Sequence, residues 1–243
     1  MMHNLTQRQI EILKSVIEEY IDSAEPVGSE TIEKKHNLSA SPATIRNEMV
    51  HLSKLGYLQK PHSSAGRIPT SGGMKFYVKE LMKEKVLSTV EEVALKEGVW
   101  DYREKTQKFL KEITKVLAEK TKTLAIVTTT DGEIICSGYA NILDMPEFYD
   151  IDITKSLLTA LDEYEYFMNL FQLPRSEGDV HVIVGDDFTA PLQGPYGIVF
   201  TDYDTGTNQG QIGVIGPVRL QYTSIIPTLR YVSRLIKDTA KGW

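Results

Sequence analysis

With 243 residues, 41% hydrophobic and 25% charged, the chain has ordinary globular composition, which excludes a disordered protein and leaves room for two modest domains. One cysteine, Cys136, excludes an internal disulfide and points to a reducing cytoplasm, and neither a signal peptide nor an apolar run long enough for a bilayer is visible. The net charge of -6 argues against a nucleic-acid partner until its distribution is read: Ser41 to Lys79 carries Arg46, Lys54, Lys60, Arg67, Lys75 and Lys79 against Glu48 alone, a basic segment on an acidic body.

Thr6 and Gln9 have capping-box spacing and open a first helix whose apolar face is Ile10, Leu13, Val16, Ile17, Tyr20 and Ile21. Glu25-Pro26-Val27-Gly28 ends it. Ser29 is placed to cap a short second helix ending near His36, with Asn37 able to turn left-handed behind it. Ser41 as N-cap and Pro42 at the first helical position start a third helix, which runs to about Leu55 on a core face of Ile45, Met49, Leu52 and Leu55. Tyr57-Leu58 and Arg67-Ile68 read as two short strands around a polar, turn-rich loop. Helix, helix-turn-helix, then hairpin is the order of a winged helix-turn-helix, whose recognition helix enters the major groove by its first turns.

That order nominates the DNA contacts. Ser41, Ala43, Thr44, Arg46 and Asn47 lie at the front of the third helix, with His51 at its edge. Arg can grip guanine and Asn adenine through paired hydrogen bonds, and the methyls of Ala43 and Thr44 can meet thymine. Lys60, His62, Ser63, Ser64 and Arg67 on the wing suit phosphate oxygens, which position a protein without reading sequence; a wing Arg can also enter a narrow minor groove.

Beyond Pro69 a basic helical stretch, Gly73 to Lys85, leaves the head. Ser88 with Glu91 starts a short helix ending at Gly98, and Asp101 with Glu104 starts another. Val99, Tyr102, Thr106, Phe109, Ile113 and Val116 form a seam that suits either the chain's own sheet or a second copy. From Thr123 the pattern is β: Leu124–Thr128, Val180–Val184, Tyr196–Phe200 and Gln211–Ile215, with a helix from about Thr154 to Leu170 and a last helix carrying Ile225, Ile226, Leu229, Val232, Leu235 and Ile236. The class is α+β.

No catalytic set stands out, and no metal or cofactor site is expected. Cys136 lies beside isoleucines as an inert thiol, His181 alternates with valines and is expected to point outward, and Asp186, Asp187, Asp202 and Asp204 fall at strand ends where Asp supports turns. Thr205 to Gly210 lacks the Lys of a phosphate loop and reads as a hairpin.

Glu25-Pro26-Val27-Gly28-Ser29, the run Ser41 to Glu48 (SPATIRNE), the run Pro61 to Thr70 (PHSSAGRIPT), Tyr77-Val78, Asn141-Ile142-Leu143, Pro146-Glu147-Phe148 and the run Ile215 to Tyr222 (IGPVRLQY) together resemble the HrcA family of heat-inducible transcription repressors. The resemblance implies a bacterial homodimer that binds double-stranded DNA at the inverted-repeat operator CIRCE and represses chaperone operons. It also implies a GAF-like C-terminal domain and a possible GroEL-type chaperonin partner whose titration during heat shock relieves repression. The chain departs from the family where an inserted dimerising subdomain is usual, since only Asp131 to Ser137 separate Thr130 from Gly138, and at Pro227, which is expected to kink the last helix. The expected architecture is a winged helix-turn-helix with exit helix over 1–85, a helical linker or dimerisation segment over 86–122 and a reduced GAF-like α/β sheet domain over 123–243. A ligand-gated regulator with a small-molecule-sensing domain is the alternative; an enzyme would need a convergent acid, base or nucleophile set that the sequence does not offer.

Overall fold

A computed structural model describes residues 5–36, 38, 40–62, 65–100, 106–173 and 178–240. The chain divides into two compact units, Met1–Lys83 and Glu84–Trp243.

In the first unit α1 (Gln7–Ser23), α2 (Ser29–His36) and α3 (Pro42–Lys54) enclose one core. Thr6 and Gln9 form the capping box of α1, each satisfying the other's backbone amide. Ile12, Leu13, Val16 and Ile17 of α1 are buried, as are Ile32 of α2 and Ile45, Met49 and Leu52 of α3. Leu55 is only half-buried, because the helix stops at Lys54 and Gly56 turns the chain at φ +82°. The wing strands are β1 (Leu58–Gln59) and β2 (Ile68–Pro69), one residue beyond the positions expected, paired antiparallel with Leu58 opposite Pro69. α4 (Ser71–Phe76) continues as a π-helical turn over Tyr77–Leu81 and ends there, short of Lys85.

In the second unit α5 (Thr89–Trp100) and α6 (Thr106–Thr121) precede a five-stranded sheet. The strands are β3 (Leu124–Thr128), β4 (Ile134–Ser137), β5 (Val180–Val184), β6 (Tyr196–Asp204) and β7 (Gln209–Pro217), in the order β4-β3-β7-β6-β5 with every pair antiparallel. Between β4 and β5 run α7 (Tyr139–Leu143), a 3-10 turn (Pro146–Tyr149), α8 (Ile151–Leu161) and α9 (Tyr164–Phe171); α10 (Tyr222–Ala240) closes the described chain. The α/β sheet domain thus has helices on both faces. Leu124 and Ile126 of β3 join Leu157, Phe167 and Phe171 in one core, while α6 and α10 lie on the other side of the sheet, so β3 is buried along its whole length.

Several local expectations change. Gly98 lies inside α5, not at its end, because a Cβ there would come within 2.9 Å of Val116 Cγ2 where α5 and α6 approach closely. The helix expected over Thr154–Leu170 is two helices broken at Asp162-Glu163. His181 is buried, its ring centroid 5.3 Å from that of Phe200; strand alternation implies an exposed face, but helices cover both. Of the expected seam, Val99, Phe109 and Ile113 are buried and α6 lies on β3 and β4; Asp101, Tyr102 and Glu104 lie outside the described residues. Asn37 also lies outside them. No helix of the described residues is long and apolar enough to cross a membrane.

Candidate nucleic-acid interface

The site is built on the start of α3. The Ser41 side chain accepts the Thr44 amide at 3.2 Å, and its Oγ lies 3.0 Å from Thr44 Oγ1, so both hydroxyls take part in the cap and Thr44 is half-buried. Burial of Ile45, Met49 and Leu52 turns the opposite face outward by helical periodicity, and Ala43, Arg46, Asn47, Val50, His51 and Lys54 are exposed there. Arg46 and Asn47 form no hydrogen bond or ion pair among the described residues, which leaves both heads available to an incoming acceptor.

Sequence spacing marks Gln9 only as a capping residue. It is buried, and its Nε2 lies 3.0 Å from Glu48 Oε2 and 2.8 Å from His51 Nδ1, tying the front of α1 to the middle of α3. No local signal announces this, because the partners are 39 and 42 residues away.

The wing is anchored at three points. Val27 and Arg67 exchange backbone hydrogen bonds of 2.9 Å, so the Glu25–Ser29 block supplies a third short rung. Gly66 permits this: a Cβ would sit 2.4 Å from the Val27 carbonyl oxygen. Thr70 donates its amide to the Tyr57 carbonyl at 3.0 Å and its hydroxyl to the Gly56 carbonyl at 2.5 Å, while the same hydroxyl accepts the Gly73 amide at 3.0 Å. Tyr77 then donates to Glu18 at 3.4 Å, and burial together with the Glu18 carboxylate pushes its phenol well above the usual range. Lys60 and His62 are exposed on the loop. Arg67 is half-buried with its Nε shut off from solvent, which places it lower on the wing than Lys60. Ser63 and Ser64 lie outside the described residues.

In the second unit the distinctive sequence blocks clasp the fold. Glu147 and Arg219 pair through two hydrogen bonds, 2.7 and 3.1 Å, joining the 3-10 turn to the chain before α10. Asn141 donates to the carbonyls of Ala118 and Thr123, tying α7 to the α6–β3 junction. Burial pushes the Cys136 thiol up to about 12, the opposite of a nucleophile's tuning. Asp187 accepts the Val184 amide, Asp204 holds the Gly206 amide and Gln209, and Asp202 holds Gln211, all turn and strand-end roles. Among the described residues no group of three or more His, Cys, Asp or Glu is arranged to hold a metal.

Residues 4–82 match the family model for the winged helix-turn-helix transcription repressor, HrcA DNA-binding, and residues 73–226 match that for the HrcA protein C terminal domain. The chain belongs to the HrcA family of heat-inducible transcription repressors. Its first unit is that family's DNA-binding winged helix, and transcriptional repression is its activity. The heat-inducible transcription repressor HrcA of Carboxydothermus hydrogenoformans is 26% identical over 335 aligned positions, covering 96% of this chain and 98% of the relative. The HrcA of Acetivibrio thermocellus is 27% identical over 337 positions, covering 96% of each. A crystal structure of a protein described as hypothetical shares the fold, with a TM-score of 0.80 at 18% identity over 98% of this chain and 99% of that one. An alignment of 335 positions against 243 residues leaves more than ninety positions of the HrcA relative without a counterpart here.

Proposed function

We propose that this HrcA-family chain represses chaperone operons in the bacterial cytoplasm by binding CIRCE, an inverted-repeat DNA operator, as a homodimer. One observation carries the reading: the capped front of α3 exposes Arg46 and Asn47, two base-reading side chains, next to a wing carrying Lys60 and His62. The assigned contacts are Ser41, Ala43, Thr44, Arg46, Asn47 and His51 toward the major groove, and Lys60, His62, Ser63, Ser64 and Arg67 toward the sugar-phosphate backbone. Ser41 and Thr44 serve chiefly through the cap they build; with the Thr44 amide held by Ser41 and Pro42 carrying none, the Ala43 amide is the one at the helix start left for a phosphate. A single recognition helix reads only a few base pairs, so an inverted repeat calls for two copies. The missing positions relative to longer HrcA proteins fit loss of an inserted subdomain, so the dimer forms through surfaces of the two units themselves. Release of repression on heating, through partial unfolding or loss of support from a GroEL-type chaperonin, belongs to the same reading.

The test is a titration of labelled CIRCE duplex, a half-scrambled duplex and a fully scrambled one at several salt concentrations. Intact CIRCE is expected to bind best, and scrambling one half to cost most of the preference. Arg46→Ala should reduce discrimination by about 5- to 150-fold, the value of one bidentate base contact. Lys60→Ala should weaken all duplexes alike and flatten the salt dependence. Equal affinity of the unaltered protein for CIRCE and the scrambled duplex would overturn the reading.

A further inference from the structure

The side-chain amide of Gln9 has only one orientation that satisfies its surroundings. Its Oε1 accepts the backbone amide of Thr6 at 3.0 Å, and its Nε2 faces Glu48 Oε2 at 3.0 Å and His51 Nδ1 at 2.8 Å. A backbone N–H can only donate and an ionised carboxylate can only accept, so reversing the amide would put like against like at both contacts. With one Nε2 proton directed to Glu48, the other points at His51 Nδ1. That nitrogen must then be the acceptor, and a neutral imidazole accepting at Nδ1 carries its proton on Nε2. Gln9 is only 6% exposed, so water does not compete freely for these bonds, whereas His51 lies on the outward face of α3 with Arg46, Asn47 and Lys54.

We infer that Gln9 is a positioning residue for DNA binding: from the front of α1 it fixes His51 as the Nε2–H tautomer, so that the recognition helix presents a hydrogen-bond donor there to an acceptor on DNA. The acceptor is a phosphate oxygen or the acceptor edge of a base. This inference rests on the DNA-binding reading above and adds a residue that never touches the duplex.

The experiment uses the full chain labelled with 15N and a long-range proton–nitrogen correlation at a pH where His51 is neutral, alongside titration with CIRCE and scrambled duplexes. His51 is expected to show a protonated Nε2 and a bare Nδ1. Gln9→Glu keeps an oxygen for the Thr6 amide but sets a carboxylate oxygen against both Glu48 and His51 Nδ1; only a proton on Nδ1 relieves the second contact, so Nδ1 should become protonated. That exchange of signals is one that a merely structural role of Gln9 would not produce. His51→Ala should weaken binding by about 3- to 10-fold if the acceptor is a base, the value of one neutral hydrogen bond, and by about 10-fold or more if it is a charged phosphate oxygen. Gln9→Ala should do the same, and the double variant no more than either alone. Loss on both duplexes identifies a phosphate acceptor; loss on CIRCE only identifies a base. A protonated Nδ1 in the unaltered protein, an unmoved tautomer in Gln9→Glu, or unchanged affinity in His51→Ala overturns the inference. If the unaltered protein shows the expected tautomer but no preference for CIRCE, the operator reading has failed and not the Gln9–His51 arrangement.

Discussion

Two neighbouring glycines in α4 should respond to the same substitution with opposite signs. Gly73 is buried, and an added Cβ would lie 2.1 Å from the Tyr57 carbonyl oxygen. An ordinary contact of 3.4 Å needs the two atoms to part by about 1.3 Å. The carbonyl cannot yield cheaply, because it also accepts the Thr70 amide at 3.0 Å, and Tyr57 leads directly into β1. Overpacking costs about 1–3 kcal/mol and a strained backbone hydrogen bond about 1 kcal/mol more, against a helical gain of up to about 1 kcal/mol for Gly→Ala. Gly73→Ala should therefore destabilise the first unit by about 1–3 kcal/mol. Gly72 is exposed and has no positive φ, and a methyl added there would meet its nearest neighbours at 3.7 Å, an ordinary contact; Gly72→Ala should stabilise by about 0.4–1 kcal/mol. Native-state hydrogen exchange at the Thr70 amide reports the difference: about 5- to 150-fold faster in Gly73→Ala and slower in Gly72→Ala. Because Thr70 and Tyr57 carry the wing, Gly73→Ala should also weaken binding to CIRCE and scrambled duplex together. If Gly73→Ala exchanges no faster than the unaltered protein, or Gly72→Ala suffers equally, the account of the α4–wing junction is wrong.

Ser41→Ala removes the cap of α3 and should lower stability by about 1 kcal/mol in urea unfolding, with Ser41→Asp restoring most of it; an unchanged midpoint in Ser41→Ala counts against the cap. Glu147 and Arg219 are largely buried, so Arg219→Ala should cost about 3 kcal/mol by stranding a carboxylate, and Glu147→Ala on top of it should add little; full additivity in the double variant counts against a coupled pair. The raised Cys136 thiol keeps its proton in the folded chain while an unfolded thiol ionises near about 8.5. Its contribution is therefore intact below about pH 8.5 and is lost as pH rises toward about 12. Cys136 is half-buried, so a disulfide reagent at about pH 8, just below that threshold, should react with it more slowly in the native protein than in urea because the thiol holds its proton; equal rates contradict the raised thiol.

The first unit is legible in sequence because its signals are local. Ser41-Pro42 announces a helix start through cap chemistry that needs no knowledge of the rest of the chain, and the alternation of Ile45, Met49 and Leu52 with Arg46, Asn47 and Val50 fixes which face turns outward. The wing strands are displaced by a single residue, since two-residue strands carry almost no periodicity of their own. What sequence could not supply are the contacts that close the site from a distance: Gln9 to His51, Val27 to Arg67, and Tyr57 to Gly73.

In the second unit the sequence blocks are recognisable before their purpose is. Asn141, Glu147 and Arg219 are polar, and polar residues in distinctive blocks invite a pocket; here they hold carbonyls and each other, fastening α7 and the turn after it to the ends of α6 and β7. Pro227 makes the same point through an absence. Within α10 it lacks the amide that would bond the Thr223 carbonyl one turn back, which from sequence alone implies a weak point. The helix nevertheless continues to Ala240, and the freed Thr223 carbonyl accepts the Lys85 amide at 2.9 Å, while Arg230, further along the helix, pairs with Glu84. The residue that breaks the helix ladder thereby provides the acceptor that docks the 84–85 segment onto α10, so a proline at this position trades an internal bond for one between distant parts of the same unit.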